Sequence, residues 1–429
     1  MTKFRRSSPP RREQQRFFSF FERRRRHDRW FKRAIVCATL ITVVVPLAAL
    51  ATGRYLVAEV VSRVRSVGRR VLQIPTPRSE IDQDWQRFRL RGIGDSRARL
   101  KEIYESSPPE YQGLMRYAGL DPAHGLLCAG NYDQTLLLPS TVFEPDATGR
   151  SYRMRPCVDS IWLREVTIQP GVLAFFLVPD RPELRDAIYG TSAIPVEQSR
   201  QSTNSWGLRG PEPDLAAPLR GIVLGDSFMQ GLFIGEDETP PECLKRDLET
   251  RLNRKTSILN AGVLGYSPEQ YYYSLLSFAD RFRPQFVVVS VFANDFGEAS
   301  AVEQGRGDWD EGKHWLNRII SLSQARGWVC LFVPVPSSDR ILGRRKSGHY
   351  PGMISNLSNT SAVYFLNPAE SFVNAHLGRI IEGEERSEHP SGCLLYNEQF
   401  RDGHFSALGA KVWAEAVGRR LALLLELKD

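Results

Sequence analysis

A few residues in the second half of the chain have the types and positions needed for acyl transfer. Gly225-Asp226-Ser227 closes the apolar run GIVLG (221–225) and leads into a helix-like segment. A serine at such a junction exposes its hydroxyl, and its N–H lies among the unpaired donors of a helix N-terminus. Gly225 is expected to allow a tight turn before it. A serine hydroxyl becomes a useful nucleophile only when a neighbouring base takes its proton. His404, in Asp402-Gly-His404-Phe-Ser406 just before the last helix, is the candidate base, with Asp402 as its orienting carboxylate. Gly265, in Asn260-Ala-Gly-Val-Leu-Gly-Tyr-Ser267, offers a bare backbone N–H. Asn294, in Phe292-Ala293-Asn294-Asp295, offers a neutral amide donor. The Asn294 amide could face a developing oxyanion and the Gly265 N–H a ligand. Each residue also has a purely structural role open to it: an N-cap for Asp226 or Ser227, a positive-φ turn for Gly265, an Asx turn for Asn294, and Ser406 capping beside an exposed His404. All four sites falling in order at the ends of strand-like runs favours the chemical reading.

The elements that must position these residues follow from the rhythm of the chain. From about Asn204 onward, strand-length apolar runs recur at 221–225, 256–262, 285–293, 327–335 and 362–366. Helical segments fall between them, as in PECLKRDLETRLN, PEQYYYSLLSFADRF and WLNRIISLSQARG, and SALGAKVWAEAVGRRLALLLEL closes the chain. Runs apolar on both faces suit a parallel sheet covered by helices on both sides, a three-layer doubly wound α/β domain of flavodoxin-like type. Ligands of such sheets bind beyond the carboxyl ends of the strands, where the candidate residues fall.

The order Gly-Asp-Ser, then Gly265 after the second strand, Asn294 after the third, and Asp402 and His404 before the last helix resembles the SGNH (GDSL-like) hydrolase family over residues 204–429. The resemblance implies Ser227 as nucleophile, and the N–H groups of Ser227 and Gly265 with the Asn294 side chain as oxyanion hole. It implies His404 as base, Asp402 as its partner, and no metal or organic cofactor. Many family members space the acid and base as Asp-x-x-His, whereas here the spacing is Asp-x-His, with Arg401 at the outer position. The shorter spacing also occurs in branches that include exopolysaccharide and peptidoglycan acetyltransferases. The implied activity is cleavage of carboxylic O-acyl esters, acetyl among them, on a cell-envelope glycan or lipid. The alternatives are an O-acyltransferase to a cell-surface polysaccharide and a catalytically silent surface-binding module.

The remainder of the chain bears on location. Of 429 residues, 42% are hydrophobic and 25% charged, an ordinary globular composition. The net charge of +8 resides in the N-terminal tail, where about 13 Lys and Arg meet about 3 acids before Ala34. The remaining chain is close to neutral, which removes the main support for nucleic-acid binding. Residues 34–53 carry no charge until the following Arg54, long enough for one bilayer-spanning helix, and Arg23–Arg26, Arg29, Lys32 and Arg33 precede it. The positive-inside rule then puts residues 1–33 in the cytoplasm and the rest in the periplasm or outside the cell. A cleaved signal peptide ending at Ala49-Leu50-Ala51 is the alternative. Residues 54–105 read as a helical stalk or linker, and 106–203 as a small β-rich accessory region containing TLLLP, SIWLREVTI and GVLAFFLVP. The cysteines form no C-x-x-C pair, so a zinc site is not expected, and Cys128 with Cys157 is the candidate disulfide. Cys330, within WVCLFV, reads as core. The polar stretches 296–314 and 337–360 are expected to rim the site. Arg344, Arg345, Lys346 and His349 there could meet an anionic glycan, and Trp309 and Trp315 could stack on sugar or serve as core.

Overall fold

The computed structural model describes residues 96–129, 135–146, 151–169, 172–180, 199–297, 302, 309–343, 350–358, 362–382, 393–397 and 403–427. The chain divides into two compact units, Met1–Glu80 and Ile81–Asp429, and every described residue belongs to the second. The basic tail, the span expected over 34–53 and most of the expected linker lie outside the described residues. Among the described residues no helix is long and apolar enough to cross a membrane.

The first described elements are helices, α1 (Ser96–Ser106) and α2 (Pro109–Ala118). Helix α2 falls where only strands were expected. Pro109 suits its first turn, where an N–H is not needed, and Gly119 ends it in the left-handed region at φ 73°. Seven strands follow: β1 (Leu126–Ala129), β2 (Thr135–Leu138), β3 (Phe143–Pro145), β4 (Tyr152–Met154), β5 (Asp159–Gln169), β6 (Val172–Pro179) and β7 (Ser199–Ser202). Five form a sheet in the order β1-β2-β6-β5-β7, and β3 pairs with β4 in a separate ribbon.

Alternation along β6 explains how this sheet is covered. Ala174, Phe176 and Val178 pack with Leu100, Ile103, Leu114 and Met115 of α1 and α2. Phe175 and Leu177 point the other way, into a core that also holds Leu259, Tyr271 and Trp315 of the following α/β layers. Successive side chains on a strand leave on opposite faces, so a continuous apolar run such as LAFFLV must be buried on both. One face of the strands in 106–203 therefore shares a core with the layers after 204, within one compact unit.

The Cys128–Cys157 disulfide is corrected by the same sheet. Cys128 lies on edge strand β1, while Cys157 precedes β5 and donates its N–H to Asn204 beside the opposite edge. Several strand spacings of roughly 4.8 Å separate those edges, beyond the reach of a disulfide. Cys157 is an exposed free thiol.

The α/β layers contain a parallel sheet of order β12-β11-β10-β8-β9. Its elements in chain order begin β8 (Leu219–Gly225), α3 (Ser227–Gln230), α4 (Pro240–Leu252), β9 (Thr256–Gly262), α5 (Pro268–Phe282) and β10 (Phe286–Val291). They continue with α6 (Trp309–Arg326), β11 (Val329–Pro334), α7 (Ser338–Ile341), α8 (Tyr350–Ser355), β12 (Val363–Phe365), α9 (Ala369–Glu382) and α10 (Ala407–Glu426). Val287 and Val289 of β10 face Tyr271, Leu275 and Trp315 from α5 and α6. Val288 faces the opposite core, with Leu244 of α4, Phe372 of α9 and Trp413 of α10. Helices thus cover both faces, as the apolar runs require. Cys330 of β11 is fully buried, and burial pushes its thiol up to about 12, leaving an inert core group. The strand order reverses between β8 and β10, so the crevice at the carboxyl ends of those two strands is the ligand position of this sheet type.

Candidate active site

Ser227 begins α3 directly beyond β8, at that switch point. Asp226 caps the turn, its carboxylate accepting the Phe228 N–H at 3.0 Å. Gly225 is needed for a different reason than a left-handed turn. A Cβ there would lie 2.4 Å from Met229 Cγ, so the glycine lets the helix fold back onto its own strand. Gly262, at the end of the adjacent strand β9, makes room for the same helix, since a Cβ there would meet the Gln230 N at 2.5 Å.

His404 comes from the loop before α10, 177 residues away in sequence, yet its Nε2 lies 2.6 Å from Ser227 Oγ. Its backbone is clamped. The Asn397 N–H donates to the His404 carbonyl at 2.8 Å and the Asn397 side chain to the Phe405 carbonyl at 2.9 Å. Phe228 packs against the imidazole with ring centroids 4.8 Å apart. Ser406 caps α10 by accepting from Gly409 N at 3.2 Å, so the capping role and the imidazole–hydroxyl contact coexist. Asp402 lies outside the described residues.

Asn294 sits in the single turn after β10, next to β8. The Asx turn open to it is not formed: its Oδ1, although buried, has no hydrogen-bond partner. The following residue carries the turn instead, Asp295 Oδ2 accepting the Phe292 N–H at 2.9 Å. Asn294 is thereby not spent on the turn. Gly265, in the turn after β9, has φ 71°, so its left-handed turn role is realised. Neither the Gly265 N–H nor the Ser227 N–H donates to a protein acceptor among the described residues, whereas the neighbouring Leu264 and Tyr266 N–H groups both do. Unused N–H groups at strand ends are what oxyanion binding requires.

Two buried carboxyls stand behind the nucleophile. Burial pushes Asp226 up to about 6, opposed by the Phe228 N–H and the charge of His404. Asp295 is raised well above the usual carboxylate range by burial and by the charge of Asp226, while the Tyr271 hydroxyl donates to it at 3.0 Å.

Several positioning residues carry no motif in the sequence. Arg209 is fully buried and spends its guanidinium on carbonyls of Arg200, Gln230, Gly231 and Ile234 and on Glu236, bracing the segment after the nucleophile turn. Gln230 and Asn397 are buried amides in polar clusters. Their only sequence signal is an arginine or amide close to a motif, which most such residues share.

Among the expected rim residues, Trp315 is buried core and Trp309 packs on Phe296 with centroids 4.9 Å apart. A sugar platform at Trp315 is excluded by its burial. Arg344, Arg345, Lys346 and His349 lie outside the described residues. Helices α7 and α8 and the start of α6 occupy much of what reads as loop. No cluster of His, Cys, Asp or Glu able to hold a metal ion occurs among the described residues.

No family model matches the chain, and no curated protein does. Solved structures similar to part of it include an acetyl xylan esterase, AlAXEase, at 18% identity and TM-score 0.38, over 47% of this chain and 100% of that one. The lipase/acylhydrolase from Enterococcus faecalis is similar at 13% identity and TM-score 0.33, over 48% of this chain and 96% of that one. A two-domain esterase active on acetylated mannans, co-crystallised with mannopentaose, is similar at 14% identity and TM-score 0.33, over 48% of this chain and 49% of that one.

Proposed function

We propose that residues 204–429 form an SGNH-type serine hydrolase that cleaves O-acyl esters, acetyl esters among them, through an acyl-serine intermediate. The observation that carries this reading is the 2.6 Å contact between Ser227 Oγ and His404 Nε2 at the switch point of a parallel sheet. His404 takes the Ser227 proton as Oγ attacks the acyl carbon, an imidazole being suited to this near neutral pH. The carbonyl oxygen gains the charge and is met by the Ser227 and Gly265 N–H groups and the Asn294 amide. His404 then passes its proton to the leaving alcohol. Water, deprotonated by the same imidazole, attacks the acyl-serine and releases the carboxylic acid and free Ser227. Asp402 orients His404, while Asp226 adds a second carboxyl close enough to feel its charge.

The substrate is an acylated glycan or lipid of the cell envelope, and residues 34–53 hold the domain at the outer face of the cell membrane with residues 1–33 in the cytoplasm. Support for this location comes from the uncharged stretch and the cationic cluster before it. Protease digestion of intact spheroplasts should remove the unit Ile81–Asp429 and spare the tail.

The test of the chemistry uses the full chain. A fluorophosphonate should label the wild type, and free acetate should appear from p-nitrophenyl acetate without any added acceptor. Ser227→Ala should lose both signals, and His404→Ala should lose turnover while staying folded. Undiminished turnover in His404→Ala would remove the proposed base, and acyl release that depends on a sugar acceptor would favour the transferase.

A further inference from the structure

We propose that Tyr152, on the β3–β4 ribbon outside the α/β layers, is a positioning residue that aims the Gly265 N–H at the reacting carbonyl. The inference rests on the hydrolase reading above and extends it to a part of the chain with no catalytic motif. The Tyr152 hydroxyl donates to the Leu264 carbonyl oxygen at 2.6 Å. That carbonyl and the Gly265 N–H belong to one peptide group, which is planar and trans, so they point in opposite directions. Holding the oxygen on the ribbon side therefore turns the N–H toward the other side of the loop.

The peptide needs such a hold because its following residue is the softest in the loop. Gly265 has φ 71° and no Cβ, so rotation of the 264–265 plane meets little intrinsic resistance. The loop is fastened at both neighbouring groups. The Leu264 N–H donates to Gln230 Oε1 at 2.6 Å, and Gln230, the last residue of the nucleophile helix, donates in turn to Gln201 Oε1 of β7 at 3.2 Å. Tyr266 donates its hydroxyl to the Tyr152 carbonyl at 2.6 Å, a reciprocal latch between loop and ribbon. Tyr152 is 1% exposed, and its ring packs edge-on against Phe143 and Tyr266, so the hydroxyl has little freedom to leave. Close approach completes the arrangement: a Cβ on Gly265 would sit 2.7 Å from the Tyr152 hydroxyl and 2.3 Å from Leu136 Cδ1. The strands before residue 204 thus act as the back wall of the oxyanion loop.

Tyr152→Phe deletes only the hydroxyl. With full-length protein and p-nitrophenyl acetate, kcat per fluorophosphonate-titrated site should fall about tenfold, the weight of one buried hydrogen bond, with KM changed by less than about twofold. Phenylboronic acid, which becomes tetrahedral on the serine, should bind more weakly by a similar factor, because it uses the donor that the peptide carries. Tyr266→Phe is the comparison: it removes the reciprocal latch but leaves the Leu264 carbonyl held, so its kcat per titrated site should fall clearly less than that of Tyr152→Phe, by no more than about twofold. Wild-type kcat and boronate affinity in Tyr152→Phe would overturn the proposal, as would equal losses in both variants, which would assign the effect to general docking of the ribbon. A wild-type protein that neither hydrolyses the ester nor takes the fluorophosphonate would instead remove the hydrolase reading itself.

Discussion

Asp226 lies beside the proposed nucleophile as a fully buried carboxyl, and its replacement by asparagine gives a measurable pH signature. One oxygen of Asp226 accepts the Phe228 N–H and the other has no partner. Burial moves its pKa from 3.8 to about 6. An acid held this way binds its proton more tightly folded than unfolded, so its contribution is intact below about pH 4, is lost as pH rises to about 6, and is constant above. The full loss is about 3 kcal/mol, and about 2 kcal/mol of it falls between pH 4.5 and 8. The Asp226→Asn variant has no such proton to lose. Its amide oxygen can still accept from Phe228, and any cost of burying the new amide nitrogen, about 1–3 kcal/mol, is independent of pH. Urea unfolding of wild type and variant at pH 4.5 and pH 8 reads the effect as a difference of differences that belongs to the Asp226–Asp295 pair, since the charge of Asp226 also raises Asp295. The wild type should lose about 2 kcal/mol more than the variant across that range. Parallel losses would refute the claim that Asp226 is a desolvated, titrating carboxyl.

Two further outcomes follow from the same geometry. Asn294→Ala should lower kcat by about 10²–10³ with little change in KM, measured as ester turnover, because the lost donor acts on charge present only in the transition state. Arg209→Met should destabilise the fold by more than about 3 kcal/mol in chemical denaturation, since the carbonyls of Gln230, Gly231 and Ile234 lose their buried donor together.

The β-rich strands show where local pattern stops being informative. Leu173–Val178 reads correctly as a strand, yet nothing in its residues says that one face meets α1 and α2 and the other meets the α/β layers. The α2 helix escapes a reading by pattern because Pro109 and Gly119 punctuate it in a stretch otherwise rich in turn residues. Trp315 reads equally well as a sugar platform or as core, and only its burial behind Tyr272 and Tyr273 decides.

By itself the sequence determined the five parallel strands from Leu219 to Phe365 and the helices α4, α5, α6 and α10, because runs apolar on both faces permit little but a covered parallel sheet, whereas α7, α8 and α9 did not show in its pattern. It also located Ser227, Gly265 and Asn294 at strand ends and His404 before the last helix, since turn residues mark those ends. Only the tertiary structure decided that His404 reaches Ser227, that Asp295 and not Asn294 carries the turn after β10, and that the Tyr152 hydroxyl donates to the carbonyl before Gly265. Periodicity encodes which face of an element is buried, but contacts across 112 and 177 residues depend on how the layers close, and that is set by packing of the whole core.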